Sequence, residues 1–279
     1  MSTTLTQPPP ERPELPDGVD PEPRWPAWYA AAGFGVGLLG TFISVAVVAA
    51  ITGTTSGEDN ATFTIVATVL QGLAFIGSAL LFASFTRRPR ARDFGLRRAP
   101  FWPTVGWAAL GMVSFYAFSA IYTVAVSPDH PQEITQELGA DNGTLGLNVA
   151  GFMVICIAPV AEEVFFRGFF YKALRSRYTP LVAAGIDGLV FGIIHFDFSG
   201  VDALLILPPL AFLGFMFCLV YERTGTLFPT IALHATNNAI AFGVQAHGWE
   251  VSAVLGPLMI AACCLAPRRA APVRRLRVP

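Results

Sequence analysis

Three short polar clusters interrupt the most apolar stretches of this chain: Glu162-Glu163-x-x-x-Arg167, Phe191-x-x-x-His195 and His234-x-x-x-Asn238. An ionisable side chain at the centre of a transmembrane helix costs ~2.5–3.5 kcal/mol even on the mildest insertion scale, so such groups point to a working site. Two carboxylates, two imidazoles, an amide and a guanidinium are the parts of a hydrolase. Residues four apart share a helix face, so Glu163 and Arg167 make a local pair that locks the helix. Glu162 then points about 100° away. It has no local cation and faces a cavity, where a carboxylate can serve as general base. His234 and Asn238 also share a face, with Asn237 beside them. An imidazole and an amide one turn apart can donate together to a developing oxyanion. His195 shares its face with Phe191 and, one turn further back, with Asp187. Asp187 is a buried acid that could help orient an imidazole, although along one straight helix it is too far from His195 for a direct bond. Each cluster also has a plainer reading: an interfacial charge cluster ahead of Lys172, Arg175 and Arg177, a packed histidine, and interhelical hydrogen bonding.

These groups sit on apolar runs of helical length, at roughly 30–51, 63–85, 104–126, 145–170, 181–195, 203–220, 230–244 and 251–266. The composition agrees: 53% of the 279 residues are hydrophobic, 13% are charged, and the mean hydropathy is +0.55. A soluble domain carries about 25% charged residues. A bilayer core takes about 20 helical residues, so the expectation is an all-α polytopic membrane protein of about eight transmembrane helices. The runs at 181–195, 230–244 and 251–266 are short for a span.

Charge placement tests that count. With both termini on one side, the loops facing away hold Glu58, Asp59, Asp129, Glu133, Glu137, Asp141, Asp197, Asp202 and Glu250 and no lysine or arginine. All 18 basic residues fall on the other side, crowding Arg87–Arg98 and the tail after 267. Basic residues stay cytoplasmic, so both termini are expected inside a cell membrane. Residues 1–27, rich in proline and acids, read as a disordered tail and not as a signal peptide. Residues 28–144 hold the first three helices, 145–266 the chemical core, and 267–279 a basic tail. Trp25 and Trp28 are expected to anchor at the interface.

Lesser signals reduce to packing. Cys156, Cys218, Cys263 and Cys264 read as small core residues. Gly35-x-Gly37-x-x-Gly40 lies in an apolar helix rather than after a strand, so with Gly33 it reads as a close-approach stripe. His130 and His247 read as surface histidines, and the sequons at Asn60 and Asn142 lie in outward loops. The single lysine, Lys172, among so many arginines points to a GC-rich bacterial genome, which weighs against a prenylated substrate without deciding it. At ~1.5 Å per residue, Glu162 lies ~20 Å above Arg175 and His195 ~21 Å above Leu181, which puts them at one depth. His234 lies only ~8 Å above Pro229. For it to join them, 224–229 must fold inward, where backbone is tolerated if buried in protein.

Glu162-Glu163-Val164-Phe165-Phe166-Arg167-Gly168, Phe191-Gly-Ile-Ile-His195 and His234-Ala-Thr-Asn-Asn238, with 224–229 ahead of the last, resemble the CPBP family of intramembrane proteases. That family includes the type II CAAX prenyl endopeptidases and bacteriocin-immunity-like proteins. The resemblance covers about 145–244. It implies that Glu162 and His195 activate a water, that His234 and Asn238 hold the oxyanion, and that Glu163 and Arg167 support the site. Asp187 lies outside the family pattern. The expected activity is an endopeptidase that hydrolyses a peptide bond near the cytoplasmic face, acting on a peptide or membrane protein, with the bilayer but no nucleic acid as partner. Glu162, His195 and His234 are also a ligand set for a catalytic zinc with water in the fourth position. The metal-free, glutamate-based reading is favoured, since one carboxylate with histidines can activate water. No Gly-x-Ser-x-Gly elbow supports serine catalysis. A non-catalytic immunity or scaffold protein is the alternative. A proton-coupled transporter is the weaker one, because internal repeats and paired broken helices are missing.

Overall fold

The computed structural model describes residues 24–53, 61–126, 138–196 and 202–269. Most of the proline-rich tail, His130, the Asn60 sequon, the acids Glu58, Asp59, Asp129, Glu133, Glu137 and Asp197, and the arginines beyond 269 lie outside the described residues.

Each apolar run falls on a helix: α1 (Trp28–Thr52), α2 (Ala61–Ser84), α3 (Phe101–Val126), α4 (Gly143–Leu174), α5 (Pro180–Ile193), α6 (Leu207–Thr224), α7 (Phe228–Gln245) and α8 (Trp249–Arg269). Six of these, α1 to α4, α6 and α8, are long and apolar enough to cross a membrane. The other two are the ones the chemistry shortens or dilutes. Helix α5 has 14 residues, and α7 interrupts its apolar run with Thr230, His234, Thr236, Asn237 and Asn238. Only 11% of the most apolar stretch of α1 is buried within the protein. Leu39, Phe42 and Ile43 on α1 and Ile121 and Val124 on α3 face outward, so the surface is suited to hydrocarbon rather than water.

Neighbours in sequence pair in space: α1 packs on α2, α5 on α6 and α7 on α8, while α3 lies along α6. Small residues set the closest approaches. A Cβ at Gly37 would meet the Phe75 ring at 2.5 Å, and one at Gly188 would meet the Ala211 carbonyl oxygen at 2.4 Å. Gly33, Gly37 and Gly40 of α1 are therefore packing residues, against Phe169, Phe75 and Ala74, whereas Gly35 faces open space.

Helix α4 is the hub. Its Phe165, Phe166, Phe169, Phe170 and Tyr171 are buried with Tyr29, Phe75, Phe82, Phe94, Phe191 and Tyr221 in one core, and Phe75 meets Phe165 edge-on with centroids 4.7 Å apart. Wide π turns at Met153–Ile157 and Phe166–Tyr171 flank the segment Ala158–Phe165. Pro159 has no N–H to return to the preceding turn, which accounts for the first widening. π turns of this kind recur at functional sites.

At one end, the loop between α2 and α3 is wedged among the helices. Arg87 pairs with Asp93 at 2.6 Å, and Lys172 Nζ donates to the Asp93 carbonyl at 2.6 Å. Arg97 donates to the Gly225 carbonyl, Thr226 to the Arg97 carbonyl, and the Leu227 N–H to the Gly95 carbonyl. Thr226 and Leu227 are buried, so the backbone entering α7 is enclosed by protein. Beside this wedge the Arg175 guanidinium takes both oxygens of Glu222, and that hydrogen bonding holds Arg175 above its ordinary range.

Trp25 departs from expectation. It is 1% exposed, packed against Phe94 and Phe169 with the Lys172 ammonium 5.4 Å from its ring. The α2–α3 wedge covers it, so it is a core residue and not an interfacial anchor. Trp28, at 60% exposed, keeps the outward position.

Candidate active site

Helix α4 presents its two carboxylates in different directions. Glu163 is fully buried, and its Oε1 accepts from Arg167 Nη1 at 2.8 Å and from His234 Nδ1 at 3.0 Å. The i,i+4 pair thus forms as its spacing requires, and α7 joins it. Arg167 is equally buried. Its Nη2 donates to the Gly214 carbonyl at 2.9 Å and stands 3.7 Å from Asp187 Oδ1. The guanidinium lies 4.5 Å from the centroid of the Phe191 ring and 5.2 Å from that of Phe217. Removing such an ion from water costs several kcal/mol even after relaxation. Two carboxylates, a carbonyl and aromatic faces offset that cost here.

Glu162, by contrast, is 27% exposed. Its Oε2 stands 3.8 Å from His234 Nε2 and 4.0 Å from His195 Nε2, and it has no hydrogen-bond partner among the described residues. The ring tautomers follow from the other nitrogens. His195 Nδ1 is 2.7 Å from the Phe191 carbonyl, which can only accept, so Nδ1 carries the proton. His234 Nδ1 faces the Glu163 carboxylate, which likewise accepts. In the neutral rings both Nε2 atoms are therefore lone-pair sites. Three acceptors, two imidazole nitrogens and a carboxylate oxygen, converge on one space. Such a set can accept from a proton donor such as water, and it can equally ligate a cation.

A small void adjoins Glu162 but neither imidazole. This cavity of about 60 Å³ lies between α2 and α4, lined by Thr68, Gln71, Ala161, Glu162 and Ile194 among others. At ~30 Å³ per water this holds at least two. A larger apolar cavity of about 480 Å³ lies between α3, α7 and α8, lined by Arg98, Phe101, Leu233, Ile260 and Cys263 among others. It touches none of these polar groups, so size alone would point away from the chemistry.

The structure gathers Glu162, Glu163, Arg167, His195 and His234 into one cluster, with Phe191 between the two imidazole rings at 4.8 and 5.8 Å. Asp187 joins it on the far side of Arg167, not beside His195, whose Nδ1 is taken by Phe191. Asn238 is tied by its Nδ2 to the Val154 carbonyl at 2.9 Å, in the first π turn of α4. Its amide is thereby oriented by the same helix that carries Glu162. Sequence reading missed Thr68 and Gln71, although an amide in the middle of the α2 run was a visible signal. It also missed Phe217 and the Gly214 carbonyl, which have no polar signature. The three side chains of the zinc alternative do face one another, yet among the described residues no three His, Cys, Asp or Glu are arranged to hold a metal ion.

Residues 144–240 match the family model described as Rce1-like, type II CAAX prenyl endopeptidase Rce1-like. That stretch contains all three motifs and excludes α1–α3, and it bears out the family resemblance that the motifs carry. The chain is also 26% identical over 133 residues to the uncharacterized protein YyaK of Bacillus subtilis (strain 168). The match covers 47% of this chain and 44% of that protein, so the chain spans less than half the length of that relative. No solved structure matches.

Proposed function

We propose that this chain is an intramembrane endopeptidase that hydrolyses a peptide bond near the cytoplasmic face of a cell membrane. The observation that carries the reading is the convergence of Glu162 Oε2, His195 Nε2 and His234 Nε2 on one space. A water held there donates one proton to Glu162 and the other to His195, leaving an oxygen lone pair to attack the scissile carbonyl. As the carbon–oxygen bond forms, Glu162 takes the first proton. The tetrahedral oxyanion accepts from the second Nδ2 hydrogen of Asn238 and from His234 Nε2–H, the ring entering the cycle as an imidazolium that has taken a proton from solvent and keeps it throughout, with Glu163 as its counter-charge at Nδ1. When the carbon–nitrogen bond breaks, the proton on Glu162 passes to the leaving amine, and the carboxylate is restored. Glu163 and Arg167 hold the His234 ring.

The orientation is supported by charge: with both termini cytoplasmic, every lysine and arginine except the buried Arg167 lies on the inner side. The catalytic core on this reading is 145–266, and the substrate is a peptide or membrane protein that reaches Glu162 from the bilayer. The family description makes a lipidated peptide one member of the test library.

The experiment is cleavage of a membrane-anchored peptide library by the wild type and by Glu162→Ala, each with and without chelator. Cleavage lost only in the variant supports a glutamate-dependent protease. Wild-type cleavage lost with chelator brings in a metal held by Glu162, His195 and His234. Equal background from both folded proteins would replace the reading with a non-catalytic scaffold.

A further inference from the structure

Asp187 belongs to none of the three motifs, yet it is a fully buried carboxylate in the middle of α5. Its Oδ1 stands 3.7 Å from Arg167 Nη2. Its other polar neighbour is the Cys218 thiol of α6, which is placed to hydrogen-bond the carboxylate. Packing alone does not explain it. A buried ion is costly, and an apolar side chain of similar volume is often neutral or better in such a place. Charge neutrality does not explain it either, because Glu163 already neutralises Arg167. What Asp187 adds is a second carboxyl acceptor for the guanidinium, at its other terminal nitrogen. The fork is thereby shared, with Nη1 on Glu163 and Nη2 between the Gly214 carbonyl and Asp187.

The consequence falls on Glu163, whose Oε1 serves two donors at once, Arg167 Nη1 and His234 Nδ1. Glu163 Oε2 has no hydrogen-bond partner among the described residues, so an Arg167 held by Glu163 alone would be free to take both oxygens in the bidentate geometry arginine favours, turning the carboxylate and drawing Oε1 away from the imidazole. Asp187 and Gly214 hold the second nitrogen away. We propose that Asp187 is a positioning residue that works through Arg167 and Glu163 to keep the His234 ring oriented, with Nδ1–H on Glu163 and Nε2 facing Glu162. That the ring's orientation serves catalysis rests on the proteolytic reading; the positioning itself does not, and Asp187 has no contact with substrate.

The test uses the full chain in lipid nanodiscs with ¹⁵N-labelled histidine. His130→Gln and His247→Gln leave only His195 and His234 visible. NMR then records the two Nδ1–H protons. In Asp187→Asn the His234 proton moves upfield as its bond to Glu163 weakens. The His195 proton, donated to Phe191 on the same helix as Asp187, stays in place. An unmoved His234 resonance in a folded variant overturns the proposal. So does a joint shift of both resonances, which would mark a general loosening of α5. If Asp187→Asn does not fold, Asp187→Ser is read in the same way; failure of both to fold overturns the proposal in favour of a purely structural carboxylate. In the cleavage assay kcat falls about tenfold at unchanged KM, the pattern of an interaction lost in the transition state alone. The NMR readout needs no substrate. A His234 shift in a protein that cleaves nothing would sink the protease reading and leave this one standing.

Discussion

Arg167→Met takes the cation out from between Glu163 and Asp187, two carboxylates with no solvent exposure, and leaves an unbranched apolar stem among Phe166, Phe191 and Phe217. Three interactions go: the 2.8 Å bond to Glu163, the 2.9 Å bond to the Gly214 carbonyl and the ionic contact with Asp187 at 3.7 Å. Removing one partner of a buried pair costs ~3–5 kcal/mol, because the other charge is left uncompensated. An orphaned buried carbonyl adds ~1–3 kcal/mol. One of the two abandoned carboxylates can take up a proton and recover part of this, which leaves a net loss of about 4 kcal/mol. At ~2–4 °C per kcal/mol for a chain of this order, the apparent melting temperature falls by ~8–16 °C. The assay is thermal unfolding in nanodiscs followed by tryptophan fluorescence, with Arg167→Met/Asp187→Leu as the second arm. The double variant removes one abandoned charge and leaves Glu163 with His234, so it recovers about half of the loss. A fall of under ~2 °C in the single variant, or no recovery in the double one, would refute the idea that this guanidinium neutralises the buried cluster.

Other expectations follow from the same geometry. Glu162→Gln keeps the shape of a side chain that makes no hydrogen bond through Oε2, so it abolishes cleavage while leaving the melting temperature within ~2 °C of wild type; a stable variant that still cleaves would remove Glu162 from the chemistry. Asn238→Leu orphans the Val154 carbonyl at a cost of ~1–3 kcal/mol. It also lowers kcat by ~10²–10³-fold if the amide is an oxyanion donor, so a stability loss with unchanged kcat would confine Asn238 to tying α7 to α4. Gly188→Ala puts a methyl 2.4 Å from the Ala211 carbonyl oxygen. It costs about 1–3 kcal/mol by forcing α5 from α6, and an unchanged melting temperature would show that the two helices are not in contact there.

The helices were legible from the sequence because the signal for them is local. A run of apolar residues excludes water whichever way it faces, and each of the eight runs became a helix. The Glu163–Arg167 pair was legible for the same reason, since four residues on one α-helix fix its distance before any other element is placed. The common depth of Glu162 and His195 also followed from rise per residue alone.

Which faces meet is another matter. Nothing in the spacing of Asp187 says that its neighbour is Arg167 on another helix instead of His195 on its own. That choice was made when Gly188 let α5 sit against α6 and brought the Gly214 carbonyl to the guanidinium. Trp25 reads as an interfacial aromatic until the α2–α3 loop wedges over it. Gln71 and Thr68 read as minor polar breaks until α2 is laid beside α4 with a cavity between them. The tautomers of both histidines depend on a carbonyl and a carboxylate that only the folded chain brings near, and the π turns around Pro159 and Phe166 adjust the angle at which α4 presents its two acids. The sequence by itself determined the solvent, the helices and the inventory of reactive groups, because hydrophobicity and helical period act over a few residues. The tertiary structure decided which nitrogen faces which oxygen, because that depends on contacts between residues far apart in the chain.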